Sequence, residues 1–248
     1  MKKISDIKYG AKPSQILDVY IPECTEFPVF VYFHGGGFDH GSRQEEFIPD
    51  LVEKGIAVVS ADYTLYPDAH YPEYIEDGAL AVLWTKENIN KYGQVKGIYI
   101  GGSSAGGYLS QMLCFCDDYF NKHNISLTDI SGFYFDAGQP TTHFSVLKER
   151  GIDPRTVIVD DAAPLFHIKD SKVYPPIEIV ISDNDIEGRY EQTLLLVSTL
   201  KQFKHNMDKV YLNLIKNSSH CEYVKKRDNN GKSVFAYMVY EFIKKVSN

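Results

Sequence analysis

Residues 98–108 read Ile98-Tyr99-Ile100-Gly101-Gly102-Ser103-Ser104-Ala105-Gly106-Gly107-Tyr108, and this stretch decides the fold. An apolar run leads into small residues and then into a helical pattern, so G-x-S-x-G here predicts a strand, a sharp turn and a helix. Gly102 and Gly106 remove side chains that would clash in the turn, and the helix N-terminus behind it favours developing negative charge. The stretch therefore predicts Ser104 as a nucleophile exposed at the end of a buried strand.

Two other interpretations of this turn have to be weighed. A run of small residues also fits an ordinary tight turn, in which Ser104 would only cap the following helix. A phosphate-binding loop would need Gly-Lys and then Ser or Thr after the glycines, and the sequence does not continue in that way. The choice between a nucleophile and a helix cap depends on partner residues elsewhere in the chain.

A second glycine motif supplies the first of these partners. The apolar run Val29 to Phe33 is followed by His34-Gly35-Gly36-Gly37-Phe38, a loop of the type that donates backbone N–H groups to a tetrahedral oxyanion. A flexible glycine-rich hairpin would look similar if this motif stood alone. Together with G-x-S-x-G further along the chain, it predicts Gly36, Gly37 and Ala105 as oxyanion-hole donors, with His34 shaping the loop.

The base and the acid are predicted from chain order, because a nucleophile elbow is followed by Asp or Glu and then by His. Only His205 and His220 follow the apolar run Ile177 to Ile181, and His205 falls at the end of a helical pattern. His220 is therefore the predicted base, although a surface histidine would fit the same loop. Asp183 and Asp185 both follow the acid strand; we favour Asp185, because Asp183 is better placed to accept backbone N–H groups.

The remaining pattern predicts an α/β fold with a mostly parallel central sheet of about eight strands and helices on both faces. The first two strands are close in sequence and suit an antiparallel edge. The predicted strands are Ile16–Ile21, Val29–Phe33, Ile56–Ala61, Gly97–Ile100, Gly132–Phe135, Ile177–Ile181 and Val210–Ile215. The predicted helices are Tyr74–Asn90, Ala105–Cys116, Tyr190–Phe203 and Val234–Val246, with a weaker one at Phe144–Glu149. We expect one domain over residues 1–248, with a lid-like insertion over the active site at 136–175.

Composition excludes several classes of function. The net charge is −7 and no dense basic cluster occurs, so nucleic acid is not an expected partner. The N-terminus lacks the apolar run of a signal peptide and no stretch of 18 apolar residues exists, so we expect a cytoplasmic protein without membrane contact. The four cysteines form no C-x-x-C pair, which favours reduced thiols and no metal site. The sequence leaves a homodimer open.

With these motifs in place, the chain resembles the alpha/beta-hydrolase esterases of the hormone-sensitive-lipase-like and bacterial feruloyl/acetyl-xylan-esterase-like groups. The likeness spans most of the chain. Besides the two glycine motifs, it includes Asp18-Val19-Tyr20-Ile21-Pro22, Asp62-Tyr63-Thr64-Leu65-Tyr66-Pro67, Tyr71-Pro72 with Asp77, and Asp161-Ala162-Ala163-Pro164-Leu165. The resemblance implies the α/β-hydrolase fold, short acyl esters as small-molecule substrates, no cofactor, and a structural role for Asp77.

The sequence departs from these families at two points. Ser103 stands where they carry Asp, Glu or His before the nucleophile, which bears on activity and substrate preference. The long N-terminal cap segment is also missing, so long-chain lipids are not expected substrates. The leading hypothesis is a serine carboxylesterase (EC 3.1.1) acting on acetyl-type esters; the alternatives are an amide-cleaving peptidase or formamidase with the same triad, and a non-catalytic ligand-binding scaffold.

Overall fold

The computed structural model describes residues 1–170 and 172–247. Eight strands alternate with helices along the chain. The strands are β1 (Lys2–Lys8), β2 (Ile16–Ile21), β3 (Glu26–Phe33), β4 (Ala57–Ala61), β5 (Gln94–Ser103), β6 (Gly132–Asp136), β7 (Ile177–Asn184) and β8 (Val210–Ser219). The helices are α1 (Ile48–Glu53), α2 (Glu73–Asn88), α3 (Ala105–Phe115), α4 (Asp117–Asn121), α5 (Phe144–Glu149), α6 (Arg189–Gln202) and α7 (Val234–Val246).

The strands form one sheet in the order β1-β2-β4-β3-β5-β6-β7-β8. β2 is antiparallel to both of its neighbours, β1 and β4. Every neighbouring pair in the remaining order β4-β3-β5-β6-β7-β8 is parallel. The prediction of a mostly parallel sheet with an antiparallel edge is therefore confirmed. The expected antiparallel pairing of Ile16–Ile21 with Val29–Phe33 is wrong, because β4 lies between β2 and β3. The antiparallel partner of β2 at the edge of the sheet is β1, which was not among the predicted strands.

Helices cover both faces of the sheet. Along β3, Val29, Val31 and Phe33 pack in one apolar cluster with α2 and α3, while Phe30 and Tyr32 pack in another with α1 and α7. Alternate residues of a strand point to opposite faces, so β3 is apolar from Phe27 onward because both of its faces are buried there. This packing fixes the carboxyl ends of β3, β5, β6 and β7 at one edge of the sheet.

Buried carboxylates join the loops at that edge. Asp77 of α2 accepts hydrogen bonds from Gln15 Nε2 at 2.6 Å and from the Thr64 backbone N–H at 2.8 Å, which is a structural role. Arg43 is buried and forms ion pairs with Asp18 at 2.8 Å and with Asp62. These contacts join β2, the segment after β4 and α2 to the segment that follows the glycine loop.

No helix of residues 1–170 and 172–247 is long and apolar enough to cross a bilayer.

Candidate active site

The turn at Ser104 is fixed by steric restraints. Ser104 joins β5 to α3 with φ 55° and ψ −111°, a conformation that is unfavourable for any residue with a side chain. A methyl group added at Gly106 would lie 1.9 Å from the Phe33 carbonyl oxygen, and one at Gly102 would lie 2.5 Å from the same atom. Only glycine fits at these two positions, so the close packing of β3, β5 and α3 holds Ser104 in its strained turn.

This strain can be measured with two variants that both lack the hydroxyl group. Glycine adopts positive φ without steric cost, so we expect Ser104→Gly to unfold with a free energy about 1 kcal/mol higher than Ser104→Ala. Urea unfolding of the two variants tests this expectation. If Ser104→Ala were as stable as Ser104→Gly, the turn would store no strain.

The structure brings Ser104, His220 and Asp185 together in one chain of hydrogen bonds. His220 Nε2 lies 2.8 Å from Ser104 Oγ, and His220 Nδ1 lies 2.6 Å from Asp185 Oδ1. The Asp185 side chain is fully buried, whereas the His220 ring is 24% exposed. Asp185 Oδ1 also accepts the backbone N–H of Ile186 at 2.7 Å, which fixes the carboxylate. The imidazole is thereby oriented with one nitrogen on the hydroxyl and the other on the carboxylate.

Asp183 has different partners. Its carboxylate accepts the backbone N–H groups of Asn217 at 3.0 Å and Ser218 at 3.3 Å, at the end of β8. These bonds, the one from Asn217 foremost, lower the pKa of this exposed carboxyl. Asp183 therefore ties β7 to the segment that leads into His220, and its two oxygens are already engaged.

The glycine loop after β3 leaves two backbone N–H groups, those of Gly36 and Gly37, available to donate to a partner oxygen. His34 Nδ1 donates to the Gly35 carbonyl at 2.7 Å, and the N–H groups of Asp39 and His40 both donate to the Gly36 carbonyl at 3.1 Å. Because a trans peptide points its C=O and N–H in opposite directions, the N–H groups of Gly36 and Gly37 face away from these donors. Within the described chain neither N–H group has an acceptor.

The loop runs directly beside Ser104. A methyl group at Gly35 would lie 3.4 Å from Ser104 Cβ, within van der Waals contact. Ala105 is the first residue of α3, so its N–H has no partner inside the helix. Burial lowers the pKa of His34, which stacks on Tyr63 with ring centroids 4.4 Å apart and stays neutral as it holds the loop.

Sequence reasoning missed a buried acid behind the nucleophile. Asp136 ends β6, is completely buried and accepts a hydrogen bond from the Tyr223 hydroxyl. Cys221 Sγ lies between this carboxyl group and the imidazole of His220, 4.0 Å from Asp136 Oδ2 and 3.8 Å from His220 Nε2. Ser103, the residue that departs from the related families, accepts a hydrogen bond from the Tyr32 hydroxyl at 3.2 Å. The sequence signal for this cluster is an aspartate, Asp136, at the end of the apolar strand β6, which lies next to β5.

Burial raises the pKa of Asp136 to about 6, which makes stability depend on pH. The unfolded chain ionises this group near its ordinary pKa while the folded chain keeps the proton, so stability falls as pH rises from about 4 to about 6. Asp136→Asn keeps an oxygen that accepts the hydrogen bond from Tyr223 but cannot ionise. In this variant we expect the loss of unfolding free energy over this pH range to be smaller by on the order of 3 kcal/mol. Urea unfolding of both proteins from pH 4 to pH 7 tests the difference; parallel curves would contradict it.

A cleft of about 910 Å³ opens above the triad. One wall comes from the glycine loop and residues 39–47, and the other from residues 219–227. Glu45 lines it, and burial raises the pKa of this carboxyl to about 7. Among the described residues of the predicted insertion at 136–175, only Phe144 lines the cleft, so the lid over the site stays a prediction. The larger apolar side chains in the lining are Tyr32, Phe47, Phe144, Ile186 and Val224.

Comparison with solved structures defines the class of fold. A truncated carbohydrate esterase from gut microbiota superposes with a TM-score of 0.79 at 17% identity, over 100% of this chain and 96% of that one. Esterase B from Lactobacillus rhamnosis gives a TM-score of 0.78 at 18% identity, over 99% and 86%. The chain has the α/β-hydrolase fold that the sequence predicted.

Sequence comparison identifies the family. The BD-FAE family matches residues 17–200, and the chain belongs to it. Esterase LipC of Mycobacterium tuberculosis is 27% identical over 220 residues, which is 79% of this chain and 54% of LipC. A kynurenine formamidase of Danio rerio is 30% identical over 139 residues, which is 54% of this chain and 45% of that protein. The chain thus spans about half the length of these curated relatives.

Proposed function

We propose that this protein is a serine carboxylesterase of the EC 3.1.1 class that hydrolyses short, acetyl-type acyl esters. The observation that carries the proposal is the hydrogen-bonded series Ser104 Oγ, His220 and Asp185, with distances of 2.8 Å and 2.6 Å. It lies beside two backbone N–H groups that have no acceptor within the described chain. A nucleophile, a base, an oriented acid and an oxyanion site are the parts that acyl transfer needs.

In the proposed mechanism Ser104 Oγ attacks the ester carbonyl while His220 Nε2 takes its proton. The negative oxygen of the tetrahedral intermediate receives hydrogen bonds from the N–H groups of Gly36, Gly37 and Ala105. His220 then gives the proton to the alcohol, which leaves an acyl group on Ser104. Water, deprotonated by the same imidazole, attacks the acyl group and releases the acid, and Asp185 stabilises the imidazolium in both halves of the reaction.

The lining of the cleft supports a short acyl group and a polar alcohol. A long acyl chain needs a continuous apolar surface. Each CH₂ group adds about 0.8 kcal/mol to the binding free energy only where the protein removes it from water. Most of the lining side chains from 39–46 and 219–227 are polar or charged, and the apolar ones stand among them. Such walls suit an alcohol that carries further hydroxyl groups. The proposed mechanism uses no cofactor.

Cleavage of a small amide is the second candidate. It is favoured by the similarity to the kynurenine formamidase of Danio rerio. The same triad could attack a formyl amide, since the catalytic parts do not distinguish the two carbonyls. The alternative differs from the first proposal in the acyl group, formyl instead of acetyl, and in the leaving group, an amine instead of an alcohol.

A graded panel of substrates tests the proposal. We expect kcat/KM to be highest for p-nitrophenyl acetate or propionate and to fall steadily toward octanoate, with aryl formamides and aminoacyl anilides at least about ten-fold below the best ester. A preference for N-formyl aryl amides would favour the second candidate. No turnover of any short acyl ester by folded protein would contradict both the acyl range and the ester class.

A further inference from the structure

Helix α5, in the segment between β6 and β7, touches the oxyanion loop directly. Ser145 Oγ donates a hydrogen bond of 2.5 Å to the Gly37 carbonyl, across 108 residues of sequence. The neighbouring Phe144 ring packs on Gly37, where an added methyl group would lie 3.3 Å from Phe144 Cζ. The buried His143 ring completes the contact, with its centroid 4.9 Å from that of Phe38.

This contact matters because it joins the turn that carries the Gly37 N–H to a separate element of the structure. Gly37 has φ 60° and no side chain to restrict it. The peptide before it is held locally, since Asp39 and His40 bind the Gly36 carbonyl. The peptide after it has one bond to its carbonyl among the described residues, and Ser145 makes that bond. The bonds to the Gly36 carbonyl close the turn from within, and the bond from Ser145 holds the turn against α5.

Helix α5 is in turn held by the segment that carries the acid. The Phe144 N–H donates to Gln139 Oε1 at 3.2 Å, and Arg189 Nη2 donates to the same oxygen at 3.0 Å. Arg189 is buried, begins α6 four residues after Asp185, and also donates to the Ala137 carbonyl at 2.7 Å. A continuous series of hydrogen bonds thus runs from the start of α6 to the oxyanion loop.

We infer that Ser145 is a positioning residue for the oxyanion hole, which it acts on through the Gly37 carbonyl. The inference rests on the proposed function, because it assigns to α5 a task in that same site. The Gly37 N–H lies in the peptide whose carbonyl Asp39 and His40 hold, so Ser145 acts by keeping this whole turn, and with it the N–H, in place beside the developing oxyanion. Removing its hydroxyl leaves the nucleophile, base and acid in place and loosens the turn that carries this donor.

The test compares Ser145→Ala with Ser145→Thr, which keeps the hydroxyl, and with Arg150→Gln. Arg150 forms ion pairs with Asp160 at 2.6 Å and Asp161 at 3.8 Å at the other end of α5, so this variant loosens the helix without touching Gly37. For Ser145→Ala we expect kcat for p-nitrophenyl acetate to fall about ten-fold with KM changed less than about two-fold. Ser145→Thr and Arg150→Gln should both stay within about three-fold of the natural protein.

A second measurement does not depend on ester turnover. The rate at which a fluorophosphonate modifies Ser104 also depends on donors to a developing oxyanion, so it should fall by the same factor in Ser145→Ala only. If Ser145→Ala fails to fold, Ser145→Cys replaces it, keeping the volume with a weaker donor, and should show the same fall in kcat and labelling rate.

Three results would overturn the inference. These are unchanged kcat and labelling rate in Ser145→Ala, an equal loss in Arg150→Gln, or no recovery in Ser145→Thr. If the natural protein were labelled at Ser104 but cleaved no ester, the proposed function would fail, while the labelling rates of the variants would still decide the role of Ser145. A natural protein that the fluorophosphonate does not label at all would overturn both.

Discussion

Ser104→Ala is expected to lower kcat for p-nitrophenyl acetate by about a million-fold, because no other group can form the acyl intermediate at the turn. The variant keeps the fold, since the hydroxyl makes its described hydrogen bond only to His220. Initial rates with enough protein to detect the residual activity provide the measurement.

Ser103→Ala is the matched control for this variant. Ser103 belongs to the same turn and also loses a hydroxyl, but its partner is Tyr32 on the neighbouring strand. We expect its activity to stay within about ten-fold of the natural protein. Substantial activity in Ser104→Ala, or an equal loss in the control, would contradict the assignment of the nucleophile.

Asp185→Asn is expected to lower kcat by about ten thousand-fold. The asparagine amide can donate to His220 Nδ1 and so favours the tautomer in which Nε2 carries the proton and cannot accept one from Ser104. The side chain keeps its size, so the loss comes from the protonation pattern rather than from the fold. The amide nitrogen that faces His220 gives up only the local bond from the Ile186 N–H, which shares Oδ1 in the natural protein.

Asp183→Asn is the control that the sequence itself offers. It makes the same change two residues away, where the carboxylate accepts the backbone N–H groups of Asn217 and Ser218 instead of an imidazole. We expect its kcat to fall less than about ten-fold, because its loss perturbs only the segment before His220. A large loss confined to Asp183→Asn would exchange the roles of the two aspartates.

The sheet could be predicted from sequence wherever its strands are buried on both faces. Those strands are continuous apolar runs, and α7 was predicted with its observed bounds Val234–Val246. β1 was missed because it is an exposed edge strand in which charged residues alternate with isoleucine. The position of β4 between β2 and β3 was missed as well, since adjacency in the sequence does not determine adjacency in the sheet.

The site was predictable where its residues belong to short motifs with a fixed chain order. Ser104, His220 and the glycine loop lie in such motifs, and the structure brings them together. Asp183 and Asp185 follow the same strand, so only the partners of each carboxylate in three dimensions separate them. The bonds from Tyr223 to Asp136 and from Ser145 to Gly37 join residues 87 and 108 positions apart, and no local pattern marks them.

The most direct test of the proposed function is a titration with a fluorophosphonate, in which the remaining p-nitrophenyl acetate activity is plotted against the fraction of chains modified. Mass spectrometry of the peptide that contains Ser104 gives the modified fraction. The proposal predicts that activity falls in a straight line to zero as one adduct forms per chain on Ser104. Activity that persists in fully modified protein, or activity lost with the adduct on another residue, would contradict it.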